Sequence, residues 1–278
     1  MYQNIIVVGC GTIAYDVLRH CHETITDCNL TYIEYAAFPF NAATIYANSR
    51  KIPCIVAKEK NDLHKYIANI GKKALIISAN NTYIFPSDLT DNPNLTIINF
   101  HNALLPQYPG LNASSWVIYN QEIQTGITWH YVSSDIDAGE IIIQKKCNIS
   151  EDAIAGELAS TLMKLGTESF KEILPDILCG TAHSYPQELP SKRKIFKSSD
   201  IPGDGMFDIS DNAEYIYRLL RSMDYGLARV FPYPRTQYQG NKISITDYKI
   251  IESANDMPQE NHLLLPYGQN LFLCMKYE

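Results

Sequence analysis

Continuous apolar runs of strand length, each followed by a helical pattern, fill most of the first 180 residues. The runs at 4–9, 74–78 and 95–101 consist mainly of apolar residues and are short enough to be single strands. Strands that are buried on both faces read as such runs, and their alternation with helices is typical of a parallel sheet covered on both sides. We therefore predict an α/β fold built on a Rossmann-like, doubly wound, mostly parallel sheet.

The remaining elements follow from hydrophobic period and from capping residues. The predicted helices cover 14–21 and 61–70, and the further predicted strands cover 30–37, 52–56, 126–132 and 140–146. Ser150, followed by Glu151 and Asp152, is predicted to cap a long helix that runs to about Ile177, with a candidate break near Gly166.

The composition changes after Gly180. Prolines at 186 and 190 and the Pro-Gly-Asp-Gly run at 202–205 mark a connecting segment. An amphipathic helix is predicted at 212–223 and an alternating strand at 242–248. We predict two domains, a large one of residues 1–190 and a small, mostly β one of residues 191–278.

The charge balance argues against a broad nucleic-acid surface. The formal net charge is −7, whereas a nucleic-acid footprint needs a basic face that displaces counterions from phosphates. The short basic tract at 192–194 is predicted to be a solvated loop. We therefore expect no nucleic-acid partner.

The cysteines and the apolar runs indicate a compartment. Seven cysteines are scattered through the sequence without a C-x-x-C pair, a pattern that favours reduced thiols in a cytoplasm. No stretch reaches the roughly 20 apolar residues of a membrane helix, and the N-terminus lacks a basic leader. A cytoplasmic protein without a membrane partner is expected.

Two segments concentrate polar chemistry, at 99–110 and 135–139. Asn99 and His101 stand two apart at the end of an apolar strand, so their side chains share a face at the edge where open sheets place ligands. A carboxamide can stabilise an oxyanion, an imidazole can move a proton, and a carboxylate from another loop can orient the imidazole. This combination suits acyl transfer.

These segments resemble the folate-dependent formyltransferase family. The resemblance rests on Asn99-x-His101 with Leu-Leu-Pro-x-Tyr-x-Gly after it, and on Gly-Ile-Thr-Trp-His130 with Asp137-Ala-Gly after it. It implies 10-formyltetrahydrofolate as the cosubstrate and Asn99, His101 and Asp137 as catalytic residues. Asn99 and a protonated His101 are then expected to stabilise the oxyanion, while Asp137 holds the imidazole. The small second domain resembles that of methionyl-tRNA formyltransferase-like members.

The resemblance also implies where the two substrates bind. The folate is expected in a cleft lined by Asn80, Tyr83, Ile84, Phe85, Leu104, Val132 and Gly139, largely through backbone atoms. The residues expected at the acceptor are Gly9, Gly11, Thr12, Tyr108, Gly110, Asn112 and Trp116. No metal is expected. Two roles stay open for His130, which either approaches the site or is structural, whereas Asp135 is predicted to be solvated.

The acceptor amine is less constrained than the chemistry. No basic insertion that resembles a tRNA-binding loop lies between Met1 and Asn48, which favours a small substrate, first of all a nucleotide-linked amino sugar. The alternatives are a siderophore or peptide-precursor amine and the initiator tRNA of a methionyl-tRNA formyltransferase. A homodimer also stays open.

One motif supports a different class of protein. Gly9-Cys-Gly11-Thr-Ile-Ala14 fits the dinucleotide fingerprint G-x-G-x-x-A, and Glu34 lies 20 residues after Ala14. Read alone, it predicts an NAD-binding oxidoreductase or a non-catalytic nucleotide-binding protein. A glycine turn that receives a substrate phosphate at the helix N-terminus is the third reading.

Overall fold

The computed structural model describes residues 1–35, 41–256, 258 and 261–278. These residues form two compact units. The first comprises Met1–Gly110, Thr125–Cys147 and Ser160–Ile195, and the second comprises Leu111–Gln124, Asn148–Ala159 and Phe196–Glu278. The boundary near residue 190 stays a prediction.

A seven-stranded sheet organises the first unit. Its strands are β1 (Asn4–Gly9), β2 (Asn29–Tyr35), β3 (Cys54–Ala57), β4 (Ala74–Ala79), β5 (Leu95–His101), β6 (Gln124–Tyr131) and β7 (Ile141–Asn148). They lie in the order β3-β2-β1-β4-β5-β6-β7. Strands β1 to β5 pair in parallel, and β6 pairs antiparallel to β5. The predicted mostly parallel, doubly wound sheet is confirmed.

Helices accompany the strands, as the alternating pattern requires. They are α1 (Gly11–Thr24), α2 (Ala42–Ser49), α3 (Lys60–Ala68), α4 (Ser87–Thr90), α5 (Ala113–Tyr119), α6 (Ala155–Cys179) and α7 (Ala213–Met223). Helix α1 buries Ile13, Val17 and Cys21 at helical spacing, because four-residue steps return to one face. Every residue of β4 is buried, as expected of a central strand with both faces covered. Positions 36 and 37 of the predicted second strand lie outside the described residues.

The long helix α6 departs from its predicted start and break. It begins at Ala155 rather than after Ser150, whose carbonyl instead accepts the Ala153 N–H in a turn. It continues through Gly166, where a Cβ atom would lie 2.2 Å from the Phe100 ring. The glycine therefore serves close packing of the helix on β5, and its carbonyl accepts the indole N–H of Trp129 at 2.9 Å.

The second unit contains a four-stranded sheet and helices α5 and α7. The strands β8 (Arg235–Tyr238), β9 (Asn241–Ile251), β10 (His262–Tyr267) and β11 (Leu271–Tyr277) lie in the order β10-β11-β9-β8, and every pairing is antiparallel. Asn212 caps α7 by accepting the Glu214 N–H at 2.7 Å. Ile216, Leu219 and Leu220 bury the apolar face of this helix. The predicted β-rich C-terminal part is confirmed. None of the helices in the described ranges has the length and apolarity needed to cross a bilayer.

Candidate active site

Asn99 and His101 lie at the carboxyl end of β5, as the sequence predicts. The antiparallel register of β5 and β6 pairs Asn99 with His130 and His101 with Thr128. His101 and His130 are both almost fully buried. Because side chains two apart share one face of a strand, the carboxamide and the imidazole of β5 stand side by side within the first unit.

Neighbours on both sides fix the carboxamide of Asn99. The Ser78 hydroxyl donates to Asn99 Oδ1 at 2.7 Å, and Asn99 Nδ2 donates to His130 Nε2 at 3.1 Å. The His130 ring is itself oriented, since its Nδ1–H donates to the Tyr131 carbonyl at 2.8 Å. The amide therefore has one orientation, and one of its two N–H bonds points away from His130. Of the two positions left open for His130, the structure shows the one that approaches the site, beside Asn99 and Asp137.

The imidazole of His101 is held between a carbonyl and a carboxylate. Nε2–H donates to the Tyr108 carbonyl at 2.8 Å, and Nδ1 lies 3.5 Å from Asp137 Oδ2. Burial lowers the pKa of His101 below its ordinary 6.5, and the Asp137 carboxylate only partly opposes that shift. The ring is therefore neutral at neutral pH, and the expected protonated form is not its resting state. A proton that His101 gains would reside on Nδ1, facing Asp137.

Asp137 lies in the loop between β6 and β7 and faces both histidines. Its Oδ2 accepts the Gly110 N–H at 2.7 Å, and its Oδ1 lies 3.6 Å from His130 Nε2. Burial alone raises the pKa of this carboxyl, but the rings of His101 and His130 and the Gly110 N–H hold the pKa well below its usual range. Asp137 is therefore a carboxylate at neutral pH.

Two residues that sequence reasoning missed hold the backbone of the Asp137 loop. Arg193 donates to the carbonyls of Ile136 and Asp137 at 2.6 and 2.7 Å. Gln187 donates to the carbonyls of Asp137 and Gly139 at 3.0 and 2.7 Å. The tract 192–194 is thus not wholly a solvated loop: its two lysines are exposed, whereas Arg193 is half-buried. Nothing in the local pattern distinguishes the arginine from its neighbours.

The turn after β5 is fixed by one hydroxyl. Thr128 donates to the Ala103 carbonyl at 2.7 Å and accepts from the Leu105 N–H at 3.1 Å and from Gln144 Nε2 at 2.9 Å. The side chain of Leu104 packs on β6, where a Cβ atom at Gly126 would come within 2.7 Å of it. This turn carries the chain from His101 to the Tyr108 and Gly110 backbone groups that bond His101 and Asp137.

The residues predicted to line the folate cleft occupy three segments of the first unit. In the segment after β4, Tyr83 and Phe85 are buried with ring centroids 5.0 Å apart, while Ile84 between them is 53% exposed. Asn80, with φ +55°, donates to the Cys10 carbonyl at 3.3 Å. The Val132 N–H donates to the Ile97 carbonyl at 2.8 Å. Their roles in binding stay predictions.

Gly139, also predicted to line this cleft, is demanded by close packing. A Cβ atom there would lie 1.8 Å from the Tyr131 carbonyl oxygen. Glycine at this position therefore lets the Asp137 loop return against the end of β6.

The residues predicted at the acceptor are divided between the units. Tyr108 and Gly110 reach the site through their backbone groups. Gly9 ends β1, whereas Gly11 and Thr12 begin α1. A Cβ atom at Gly9 would lie 1.8 Å from the Ala79 carbonyl oxygen. Asn112 and Trp116 belong to the second unit.

In that second unit, Asn112 precedes α5 with φ +58°. Trp116 stacks on Phe196 with ring centroids 4.4 Å apart. Their roles at an acceptor stay predictions.

The acidic residue of the dinucleotide fingerprint has a partner of its own. Glu34 is 3% exposed and accepts the Thr44 hydroxyl at 2.5 Å. A ribose-binding carboxylate must present its oxygens to a ligand, and this one is turned into the protein. Gly9 of the same motif is accounted for by close packing against Ala79, and Gly11 by its φ of +73°.

Comparisons with known proteins relate part of the chain to a family model and the whole chain to solved structures of similar fold. Residues 42–174 match the family model described as formyl transferase. The methionyl-tRNA formyltransferase of Clostridioides difficile is 32% identical over 172 residues, which span 61% of this chain and 54% of that protein. The matched part is thus about half the length of that relative.

Two solved structures share the fold along the whole chain. WlaRD, a sugar 3N-formyl transferase solved with dTDP and 5-N-formyl-THF, superposes with a TM-score of 0.76 at 18% identity and covers 100% of this chain and 98% of its own. The N-formyltransferase from Helicobacter canadensis, solved with folinic acid and dTDP-3-aminofucose, gives 0.74 at 16% identity with both chains fully covered. At these identities the two structures show the fold, and the match of residues 42–174 to the formyl transferase model is what relates the chain to that family.

Proposed function

We propose that this protein transfers the formyl group of 10-formyltetrahydrofolate to the amine of a small substrate, a nucleotide-linked amino sugar. The observation that carries the proposal is the cluster of Asn99, His101 and Asp137, in which an oriented amide donor, a neutral imidazole and a charged carboxylate meet at the end of β5. Acyl transfer to an amine needs these three capacities together.

Asn99 supplies the electrostatic part of the reaction. The amine attacks the formyl carbon, a new C–N bond forms, and the bond from that carbon to N10 of the folate breaks. Negative charge develops on the formyl oxygen during the attack. The second N–H of Asn99, held by Ser78 and His130, is a preorganised donor for that oxygen, and one such donor contributes about 10²–10³-fold to kcat in comparable sites.

His101 and Asp137 supply the proton transfer. The balanced reaction removes one proton from the attacking amine and delivers one to N10. Neutral His101 has an unprotonated Nδ1 that can take the proton, and the Asp137 carboxylate 3.5 Å away stabilises the resulting imidazolium. The bond from Nε2 to the Tyr108 carbonyl keeps the ring in this orientation throughout.

The segment after β4 fits a folate. It begins after Ala79, the last residue of β4, which follows Ser78, the residue that bonds the Asn99 amide. It continues to Ile84, an exposed apolar side chain between two residues anchored in the core. A flat pterin ring with hydrogen-bonding edges is suited to an apolar contact beside exposed backbone groups. The structures of similar fold solved with 5-N-formyl-THF and folinic acid support the same donor class.

The amino-sugar acceptor is supported by fold and by charge. The two full-length structural matches are sugar N-formyltransferases or were solved with an amino-sugar nucleotide. The net charge of −7 disfavours a long phosphate backbone as a partner.

The second candidate acceptor is the methionyl group of initiator tRNA. The sequence identity of 32% to a methionyl-tRNA formyltransferase favours it.

An acceptor panel tests the proposal. Purified protein is incubated with 10-formyltetrahydrofolate and either nucleotide-linked amino sugars, methionyl-tRNA or simple amines, and product is identified by mass spectrometry. The proposal expects formylated sugar nucleotide, with kcat/KM at least about 100-fold above that for any simple amine. Formylated methionyl-tRNA instead would establish the second candidate. Absence of transfer to every amine, with intact donor, would refute formyl transfer.

A further inference from the structure

The segment that follows α6 returns to the site. Within it, the residues that we name the return segment, 184–193, begin beside β7. There the Ile141 N–H donates to the Tyr185 carbonyl at 2.8 Å and the Tyr185 N–H donates back at 3.0 Å. This pairing places the return segment beside the loop that carries Asp137.

Two side chains of the return segment turn inward while their neighbours do not. Gln187 and Arg193 are half-buried, whereas Glu188, Lys192 and Lys194 are exposed. Burial of a polar side chain needs hydrogen bonds in compensation. The terminal nitrogens of both side chains find them on the Asp137 loop, in the four bonds to the carbonyls of residues 136, 137 and 139 described above, while Gln187 Oε1 and Arg193 Nε have no hydrogen-bond partner among the described residues.

The Asp137 loop needs such external bonds. Asp137 has φ +48°, a left-handed conformation that a residue with a Cβ adopts at a cost. This conformation aims the carboxylate at the Gly110 N–H and at Nδ1 of His101. Asp137's own carbonyl accepts from both Gln187 and Arg193, so the two side chains meet at the strained residue itself.

We propose that Gln187 and Arg193 are positioning residues, which form a backbone clamp that holds the Asp137 carboxylate against His101. The kinetic part of this inference rests on the proposed function. The guanidinium is planar and reaches two consecutive carbonyls with two parallel N–H groups, which a lysine ammonium cannot reproduce. The clamp acts through geometry rather than through the charge of Arg193.

Matched variants separate geometry from charge. Arg193→Lys keeps the positive charge and loses the pair of parallel hydrogen bonds to the carbonyls of Ile136 and Asp137. Gln187→Met removes two donors without changing the charge at all. Lys192→Met, at the exposed neighbour, is the control for a change in the return segment that leaves the clamp intact.

The kinetic measurement separates an effect on kcat from an effect on KM. Arg193→Lys and Gln187→Met are each expected to lower kcat by about 10–100-fold, because small displacements of a reacting group have effects of this size, with KM for donor and acceptor changed by less than roughly threefold. Lys192→Met keeps the wild-type kcat. Unchanged kcat in both clamp variants, or a fall in kcat that Lys192→Met shares, overturns the proposal.

A second readout needs no activity and therefore separates this proposal from the proposed function. The titration of the Asp137 carboxyl is followed by NMR and assigned with Asp137→Asn. The groups that face it are His101 of β5, His130 of β6, the Gly110 N–H and the guanidinium of Arg193. In both clamp variants the pKa of Asp137 is expected to rise toward its ordinary 3.8, since the loop moves away from these groups. An Asp137 titration identical to the wild type in folded variants contradicts the clamp, whether or not the enzyme transfers a formyl group.

Discussion

Two loops of the first unit carry glycine-containing motifs, and they differ in what surrounds them. The Asp137 loop brings a carboxylate to two imidazoles, and each of these groups is held by further hydrogen bonds. The turn from β1 to α1 brings Gly9 against the Ala79 carbonyl, and the nearby carboxylate of Glu34 is buried against Thr44. Close packing can thus explain a motif of glycines without any ligand, whereas packing alone does not explain why titratable groups are buried close to one another.

The largest expected effect comes from Asp137→Asn. The variant keeps the shape but removes the charge that stabilises a proton on His101. We expect kcat to fall by about 10³-fold, near the middle of the range for lost acid–base catalysis. Asp135→Asn, the same chemical change at an exposed residue two positions away, is the control and is expected to stay within about twofold of wild type. Equal losses in the two variants would contradict a catalytic Asp137.

Asn99→Ala is expected to have the next largest effect. It removes the preorganised N–H donor, and a loss of about 10²-fold in kcat follows. Steady-state kinetics with both substrates varied separates this loss from weaker binding. A raised KM with an unchanged kcat would show that Asn99 binds substrate without acting in the reaction.

Ser78→Ala and His130→Phe each remove one of the two bonds that orient Asn99. We expect each to lower kcat by about tenfold, the lower end for residues that orient a catalytic group. The double variant tests whether both act through Asn99, because residues in one network are not additive. Losses that multiply in the double variant would show independent roles.

A smaller effect is expected on the pH profile. Burial lowers the pKa of His101 below 6.5, so the neutral base persists below that pH and the acid limb of kcat/KM lies below 6.5. The free energy of unfolding changes in the same direction. As the pH falls below about 6.5, His101 takes up its proton in the unfolded chain before it does so in the folded chain, so the stability that neutral His101 allows above about pH 6.5 decreases. An acid limb above pH 6.5 that disappears in His101→Asn would contradict the neutral resting state.

Gly9→Ala is expected to leave the turnover of folded protein nearly unchanged and to reduce stability instead. Its Cβ would overlap the Ala79 carbonyl, and overpacking of this kind costs about 1–3 kcal/mol in the free energy of unfolding. Denaturant titration measures that cost, and Gly11→Ala, with its nearest neighbour at 3.4 Å, provides the less crowded comparison. A stable Gly9→Ala protein with raised acceptor KM would instead make this turn a ligand site.

The sheet could be predicted from local apolar pattern, and Asn99, His101 and Asp137 from motifs that resemble those of a known family; the catalytic roles of these three residues stay predictions. Apolar runs define β1, β4 and β5, and Asn99 and His101 are two apart on one strand. Arg193 and Gln187 could not be predicted in the same way, since they contact a loop about 50 residues earlier in the chain. The lowered pKa of His101 could not be predicted from the motif for a related reason. Burial, which lowers its pKa, is a property of the packed strands and not of the motif.

Errors in helix α6 have the same origin. Ser150 followed by two acidic residues has the composition of a helix start, but its carbonyl closes a separate turn before Ala155. Gly166 reads as a break because glycine is a weak helix former. Glycine is instead required at this position because the ring of Phe100, which lies 66 positions away in the sequence, packs against it.

Transfer of an isotopically labelled formyl carbon tests the central claim most directly. The donor, 10-formyltetrahydrofolate labelled at that carbon, is mixed with the protein and a nucleotide-linked amino sugar, and the label is followed by NMR. We predict that the label moves from the donor to an amide carbon of the sugar nucleotide with wild-type and Asp135→Asn protein, and about 10³-fold more slowly with Asp137→Asn. Label that stays on the donor, or that appears as formate without an acylated amine, would contradict formyl transfer to an amino sugar by this site.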